Sequence, residues 1–172
     1  MENNTHTETY ILNVLVENNP GVLYRISNLF TRRYFNMDSV SVGQSEKDGL
    51  SRMTIAFKGD ERLAEQVVKQ INKLVEVIKA SILHPSTSVA RELALVNVKT
   101  PNEKIRSDVI NYTEIFKGHI VDVSHESLII EITGDPEKIN AFIDLVSLFS
   151  VNEIARTGIT ALKRGKKSIK IE

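Results

Sequence analysis

The chain has 172 residues, enough for one ordinary domain or two small ones, and its 41% hydrophobic and 26% charged residues are typical of a globular protein. Its 22 Lys and Arg balance its 22 Asp and Glu, so no overall charge favours nucleic acid or acidic lipid. It has no cysteine, which excludes disulfides and thiol chemistry, and no apolar run near the ~20 residues of a membrane helix, so a cytoplasmic location is expected.

The first half of the chain predicts a βαββαβ unit over residues 9–83. Strict alternation of apolar residues predicts a strand from Thr9 to Val16, and the apolar residues that follow Gly21 recur at helical spacing. Two strands then flank the hairpin signal Asp48-Gly49, and a second helix and a fourth strand ending at Leu83 complete the unit. This order of elements is that of the split βαβ, or ferredoxin-like, fold.

Both helices of such a unit cover one face of its sheet, and the other face has a mixed composition here. By alternation, that face carries Ile11, Asn13 and Leu15 from the first strand and Ser39 and Ser41 from the second. This mixture does not decide whether the face meets water or a partner. Units of this size gain stability by pairing, so a homodimer is expected.

A polar linker and a second unit of the same kind follow. The proline-containing stretch 84–90 predicts a linker, after which the same pattern recurs over residues 91–163 and ends in a strand from Val151 to Leu162. Residues 1–8 are expected to be flexible, and the basic tail 164–172 to be solvated and mobile. The predicted fold class is α+β, with two ferredoxin-like βαββαβ domains in tandem.

The most distinctive local feature is the polar turn that joins the first strand to the first helix. Asn19 is a good N-cap, Pro20 suits the first helical position, and Gly21 lets another group approach the backbone. Unpaired N–H groups at such a helix start suit a small anion, such as the carboxylate of an amino acid. The turn is equally explained as a helix cap alone, but one Asn suffices for that, which leaves the Asn18 amide free to recognise a ligand.

The rest of the sequence offers no site for covalent chemistry or for a metal ion. The four histidines are scattered without the spacing of metal ligands, and no nucleophile elbow, P-loop or GxGxxG motif occurs. The central strands also lack the exposed aromatic residues with which such a sheet binds RNA. These features favour a ligand sensor over an enzyme.

Several motifs together resemble the small, regulatory subunit of acetolactate synthase (acetohydroxyacid synthase), a family with an ACT domain. The resemblance runs from about Tyr10 to Gly165. Its main motifs are Glu17-Asn18-Asn19-Pro20-Gly21-Val22-Leu23, Asn36-Met37, Leu50-Ser51-Arg52-Met53-Thr54-Ile55, Arg91-Glu92-Leu93, Glu114-Ile115-Phe116-Lys117-Gly118 and Ala155-Arg156-Thr157-Gly158.

The resemblance implies more than the spacing of residues does. It implies that residues 9–83 are an ACT domain, that such domains pair, and that valine or another branched-chain amino acid binds between them. The subunit would activate a separate catalytic subunit, which holds thiamine diphosphate, Mg²⁺ and FAD, and would confer feedback inhibition on it. The implied effector site lies in two segments, one from each chain of the pair: Asn18, Asn19, Pro20, Gly21, Val22 and Leu23 from one chain, and Asn36 and Met37 from the other.

Two other functions remain open from the residues themselves. An ACT-type sensor acting on a different partner, such as a transcription factor, would be marked by a helix-turn-helix, and none is visible. A small hydrolase of the acylphosphatase type needs a phosphate-binding loop with an arginine after the first strand. The residues Glu17, Asn18 and Asn19 supply no cation there.

Overall fold

Each half of the chain forms one antiparallel sheet with two helices, which confirms the predicted fold class. The computed structural model describes residues 8–32 and 34–165. The elements of the first half are β1 (Glu8–Glu17), α1 (Val22–Thr31), β2 (Met37–Gln44), β3 (Leu50–Gly59), α2 (Glu61–Ile71) and β4 (Val77–Leu83). Those that follow are a 3₁₀ turn (Pro85–Thr87), β5 (Ser88–Lys99), α3 (Glu103–Ile115), β6 (His119–Val123), β7 (Ser127–Gly134), α4 (Pro136–Val146), a second 3₁₀ turn (Ser147–Phe149), β8 (Val151–Arg156) and β9 (Thr160–Lys163).

The first sheet has the strand order β2-β3-β1-β4, with its core between the sheet and the two helices. Alternate residues of β1 and the apolar stripe of α1 are fully buried there, as the two sequence periods require. The largest buried side chains of this core are Leu12, Ile26, Phe30, Met53, Ile55, Phe57 and Ile71. The strand order places β2 at one edge of this sheet.

The second sheet has the order β6-β7-β5-β8, with β9 also paired to β5, and it has a separate core under α3 and α4. Its largest buried side chains are Leu128, Ile130, Ile132 and Phe142. The repeat between the two halves extends to the helix caps. Asp60 accepts a hydrogen bond from the Leu63 N–H at 2.7 Å, and Asp135 accepts one from the Lys138 N–H at 2.8 Å. No described helix is long and apolar enough to cross a membrane.

An ion pair with a buried carboxylate joins two strands of the second unit. The guanidinium of Arg156 donates from Nε and from a terminal nitrogen to the two carboxylate oxygens of Glu92, at 2.7 and 2.6 Å, and its other terminal nitrogen donates to Asn140 at 2.9 Å. The Glu92 side chain is only 4% exposed, whereas the Arg156 side chain is 36% exposed. The hydrogen bonds to Glu92 raise the pKa of the Arg156 guanidinium above the ordinary value.

The C-terminal end of the chain differs from the sequence prediction. The strand expected from Val151 to Leu162 ends at Arg156, and Gly158 turns the chain with φ +74°. The compact units are residues up to Ala90 together with those from Ile159, and Arg91 to Gly158 between them. The predicted linker is short, since β5 begins at Ser88.

Residues Ile159 to Lys163, here named the C-terminal strap, lie across the outer face of the first sheet. The Ser41 hydroxyl donates to the Ile159 carbonyl at 2.9 Å, and the Ala161 N–H donates to the Thr54 hydroxyl at 3.3 Å. Asn13, which is 2% exposed, donates its amide to the Ala161 carbonyl at 3.4 Å. The mixed sheet face thus has a partner within the same chain, and its polar side chains satisfy the backbone of the strap.

Part of each chain end that was predicted to be mobile lies within the described residues, and Glu8 there begins β1. Residues 1–7 and 166–172 lie outside the described residues, as does Arg33. Within the tail predicted to be solvated, Arg164 donates its backbone N–H to the Thr87 carbonyl at 2.8 Å and its side-chain Nε to the Ser88 carbonyl at 2.9 Å. Arg164 is therefore bound to the first unit.

The ion pair with the buried carboxylate generates a stability prediction. We expect Arg156→Ala to lower the free energy of unfolding by about 2 kcal/mol, because it leaves the Glu92 carboxylate buried without its cation. Lys69→Ala is the matched control, since it breaks the solvent-exposed pair of Lys69 with Glu65 and is expected to cost less than about 0.5 kcal/mol. Urea unfolding measures both, and equal losses for the two variants would contradict the role of the buried carboxylate.

Candidate functional site

The polar turn between β1 and α1 is held against the rest of the first unit by backbone hydrogen bonds. The Glu17 N–H donates to the Glu76 carbonyl at 2.9 Å, and the Asn18 N–H donates to the Gly49 carbonyl at 2.8 Å. The turn therefore lies at the end of the sheet where the β2–β3 hairpin also turns, and two backbone hydrogen bonds hold it there.

The helix starts two residues later than predicted. Gly21, with φ +88° and ψ −8°, is the residue before the first helical residue Val22, so Asn19 is not the N-cap and Pro20 is not the first helical residue. The Val22 N–H donates to the Asn19 carbonyl at 3.4 Å. Pro followed by a left-handed Gly is the pattern of a type II turn, which the sequence already displayed.

This arrangement leaves the start of α1 without a capping group. Among the described residues no side chain caps the helix, and its first turn contains no acidic residue. The Asn19 amide instead donates to the Glu17 carboxylate at 2.8 Å. The N–H groups of Leu23 and Tyr24 have no intrahelical acceptor, so the positive end of α1 faces outward and suits an anion. The space beside the Gly21 α-carbon is open, since a methyl group at that position would meet no atom within 4 Å.

Exposed side chains surround the start of the helix. Asn18 is exposed, Leu23 is 50% exposed and Tyr24 is 72% exposed. The Val22 side chain is buried in the core, so only its backbone faces the turn. Val75, beside the Glu76 carbonyl that holds β1, is 89% exposed and was missed by sequence reasoning. The only indication of Val75 in the sequence was that an apolar residue follows the apolar stripe predicted for the second helix.

Asn36 and Met37 lie at the opposite end of the same sheet. Glu17 pairs with Leu50 at one end of β3, whereas Met37 pairs with Phe57 at the other. Leu50 and Phe57 are seven residues apart, which corresponds to about 24 Å along an extended strand. One chain therefore does not bring the two predicted halves of the effector site together.

The described residues offer no metal centre. In the ranges 8–32 and 34–165, no group of three or more His, Cys, Asp or Glu residues is placed to hold a metal ion. The polar groups at the turn are amides and backbone N–H groups, which bind a ligand by hydrogen bonds rather than by coordination.

Comparisons with known proteins agree with this picture. Residues 12–79 match the profile described as an AHAS small subunit-like ACT domain, and residues 91–165 match that of the small subunit of acetolactate synthase. A probable acetolactate synthase small subunit from Methanothermobacter thermautotrophicus is 51% identical over 94% of this chain and 96% of its own length. The chain belongs to the acetolactate synthase small-subunit family.

Further members of the family cover nearly the whole chain. The acetolactate synthase small subunit of Aquifex aeolicus is 46% identical over 95% of this chain and 84% of its own length. The crystal structure of the acetolactate synthase small subunit from Thermotoga maritima superimposes with a TM-score of 0.85 at 45% identity, covering 92% of this chain and 99% of that one. Membership of this small-subunit family, with its ACT domain, supports a regulatory role.

The correction at the helix start generates a second prediction. We expect Asn19→Ala to change the free energy of unfolding by less than about 0.5 kcal/mol, because Asn19 does not cap α1, and Asp60→Ala to cost about 1 kcal/mol through loss of the α2 cap. Urea unfolding of the two variants measures the difference. A loss for Asn19→Ala as large as that for Asp60→Ala would show that Asn19 acts as the cap after all.

Proposed function

We propose that this chain is the regulatory subunit of acetolactate synthase in the cytoplasm, where it activates the catalytic subunit and mediates feedback inhibition by valine or another branched-chain amino acid. Membership of the acetolactate synthase small-subunit family supports the choice of acetolactate synthase as the enzyme that this chain regulates. The observation that carries the effector site is the uncapped, outward-facing start of α1 at Gly21, in a turn held at Asn18.

The chemistry of the turn matches the three parts of a branched-chain amino acid. The N–H groups of Leu23 and Tyr24 and the positive end of α1 receive the carboxylate. The side-chain carbonyl of Asn18 accepts from the ammonium group, and the exposed Leu23 side chain covers part of the branched alkyl group. The partners still missing are a second amide and a further apolar wall, which Asn36 and Met37 supply.

A second copy of the chain supplies them because β2 is an edge strand. When two β2 strands pair antiparallel about a two-fold axis, Met37 of one copy lies opposite Gln44 of the other. Gln44 pairs with Ser51 at the hairpin end of the sheet, where the Gly21 turn also lies. Isologous pairing of this kind forms two identical effector sites, each with the Gly21 turn from one copy and Asn36 from the other.

The chemistry of acetolactate formation belongs to the catalytic subunit in this proposal. Thiamine diphosphate, Mg²⁺ and FAD are held by that partner, and this chain contributes no cofactor and no catalytic group. A ligand that bridges two copies favours one relative orientation of them, and that preference is what a regulator passes to its partner.

Valine is expected to raise the melting temperature of the purified chain, because a ligand that binds only the folded state stabilises it by mass action. At a concentration of 100 times Kd the gain is about 2.7 kcal/mol. Differential scanning calorimetry with valine, and with isobutylamine as the matched control that lacks the carboxylate, measures this. No shift at millimolar valine, or an equal shift with isobutylamine, would contradict a site built on the helix start.

A charge at Gly21 is expected to abolish feedback inhibition and leave activation intact. In Gly21→Asp the new carboxylate repels that of the effector, and we expect valine to bind at least about tenfold more weakly. The matched control is Gly165→Asp, since Gly165 has φ +73° and open space but lies in the C-terminal segment.

The assay mixes each full-length chain with the catalytic subunit and measures the rate of acetolactate formation with and without valine. Wild type and both variants are expected to raise the rate, and only Gly21→Asp to resist valine. A fully valine-sensitive Gly21→Asp would show that the effector binds elsewhere. A wild-type chain that fails to raise the rate at all would overturn the functional assignment.

A further inference from the structure

The C-terminal strap makes its hydrogen bonds to β2 through side chains, two and four residues after Met37. The Ser41 hydroxyl donates to the Ile159 carbonyl at 2.9 Å and lies 3.1 Å from the Thr160 hydroxyl. The Ile159 N–H donates to the Ser39 hydroxyl at 3.4 Å. The strap thus contacts the strand that begins at the second half of the proposed effector site.

We propose that the strap is the element that transmits effector binding, by following the position of β2. This inference rests on the proposed function, and it adds the route by which an occupied site changes the rest of the chain. A ligand held by Asn36 and Met37 fixes the start of β2. Because Ser39 and Ser41 lie on the same strand, its position is passed to the backbone of the strap at Ile159 and Thr160.

The strap is held differently on its two sides. Away from β2, the strap strand β9 pairs with β5, and the buried side chains of Ile159 and Ala161 pack against Ala56 and Leu83 in a small apolar cluster on β3 and β4. Beside β2 there is instead an open groove of about 600 Å³, lined by residues of β2, β3 and the strap that include Ser41, Gly43, Arg52, Thr54, Thr160 and Leu162. The packed side retains the strap, and the open side leaves room for β2 to shift against it.

The strap also has a firm attachment immediately before it in the chain. The Thr157 N–H donates to the Leu93 carbonyl at 3.0 Å, and the Thr157 hydroxyl accepts from the Leu93 N–H at 3.1 Å. The preceding residue is Arg156, which is held by Glu92. Only Gly158 separates Thr157 from Ile159, so no long linker absorbs a displacement of the strap, and the change reaches the second unit along the chain.

A disulfide between the strap and β2 tests this directly. The side-chain oxygens of Ser41 and Thr160 are 3.1 Å apart, and the wild-type chain has no cysteine, so Ser41→Cys with Thr160→Cys has a single possible disulfide within one chain, and non-reducing electrophoresis distinguishes it from a disulfide between copies. With the full-length chain and its catalytic subunit, we expect the oxidised variant to bind valine saturably and to activate. Its inhibition at saturating valine falls by at least about fivefold, and a reductant restores it.

Ser41→Ala removes the same link without a covalent bond and decides the question if the disulfide does not form. We expect saturable valine binding and normal activation, with reduced inhibition at saturating valine. Ser45→Ala is the matched control, because its hydroxyl belongs to the same hairpin but hydrogen-bonds within the turn to Lys47. Its inhibition is expected to stay at the wild-type level.

Calorimetric titration with valine separates failure of this inference from failure of the proposed function. Wild-type inhibition in the locked variant, or in Ser41→Ala, would overturn the role of the strap while the effector site stands. If the wild-type chain itself binds no valine, the proposed function fails, and the inference about the strap fails with it.

Discussion

The register of the first sheet is the constraint on which the function depends. It holds the Gly21 turn at one end of β3 and Asn36 at the other, about 24 Å apart along the strand. Under the proposed function, a single chain therefore carries two separate halves of the effector site. Because β2 is an edge strand, two copies of the chain can pair antiparallel along it. This pairing places the start of β2 in one copy beside the end of β2 in the other. Under the proposal, effector binding and the relative orientation of two copies become one event.

The outer face of the first sheet carries buried polar side chains that need hydrogen-bond partners. Asn13 and Thr54 are almost fully buried there, and a buried amide or hydroxyl is costly unless it is hydrogen-bonded. The strap supplies the partners with its own backbone. Side chains from three strands thereby hold one short segment, which makes its position sensitive to the arrangement of the sheet.

Local patterns predicted much of this structure, and the failures have a common cause. Alternation in β1 and the Asp caps of α2 and α4 depend on neighbours in the sequence, and such features are visible in it. The end of the last predicted strand was misjudged, because the turn at Gly158 interrupts an apolar pattern that runs from Val151 to Leu162. The placement of residues 159–162 depends on partners that are distant in the sequence: β9 pairs with β5, and Ala161 is hydrogen-bonded to Asn13 and Thr54, more than 100 residues away.

In the candidate site too, the locally determined feature could be predicted from the sequence and the long-range one could not. The Asn18 to Leu23 turn was recognisable because Pro and Gly restrict the backbone locally, although they form a type II turn rather than the predicted cap. The separation of Asn36 from that turn was not recognisable, since it follows from strand register. Val75 was missed because its exposure depends on how the loop after α2 meets β1.

Mixing two variants tests most directly whether the effector site is shared between copies. Gly21→Asp and Asn36→Ala each damage both sites of a homodimer, but a mixed dimer has one site with neither change. After unfolding and refolding the two chains together, we expect about one quarter of the wild-type valine sites by calorimetric titration, since half of the dimers are mixed and each has one intact site. No recovery of valine binding in dimers shown by mass spectrometry to be mixed would contradict a site built from two copies.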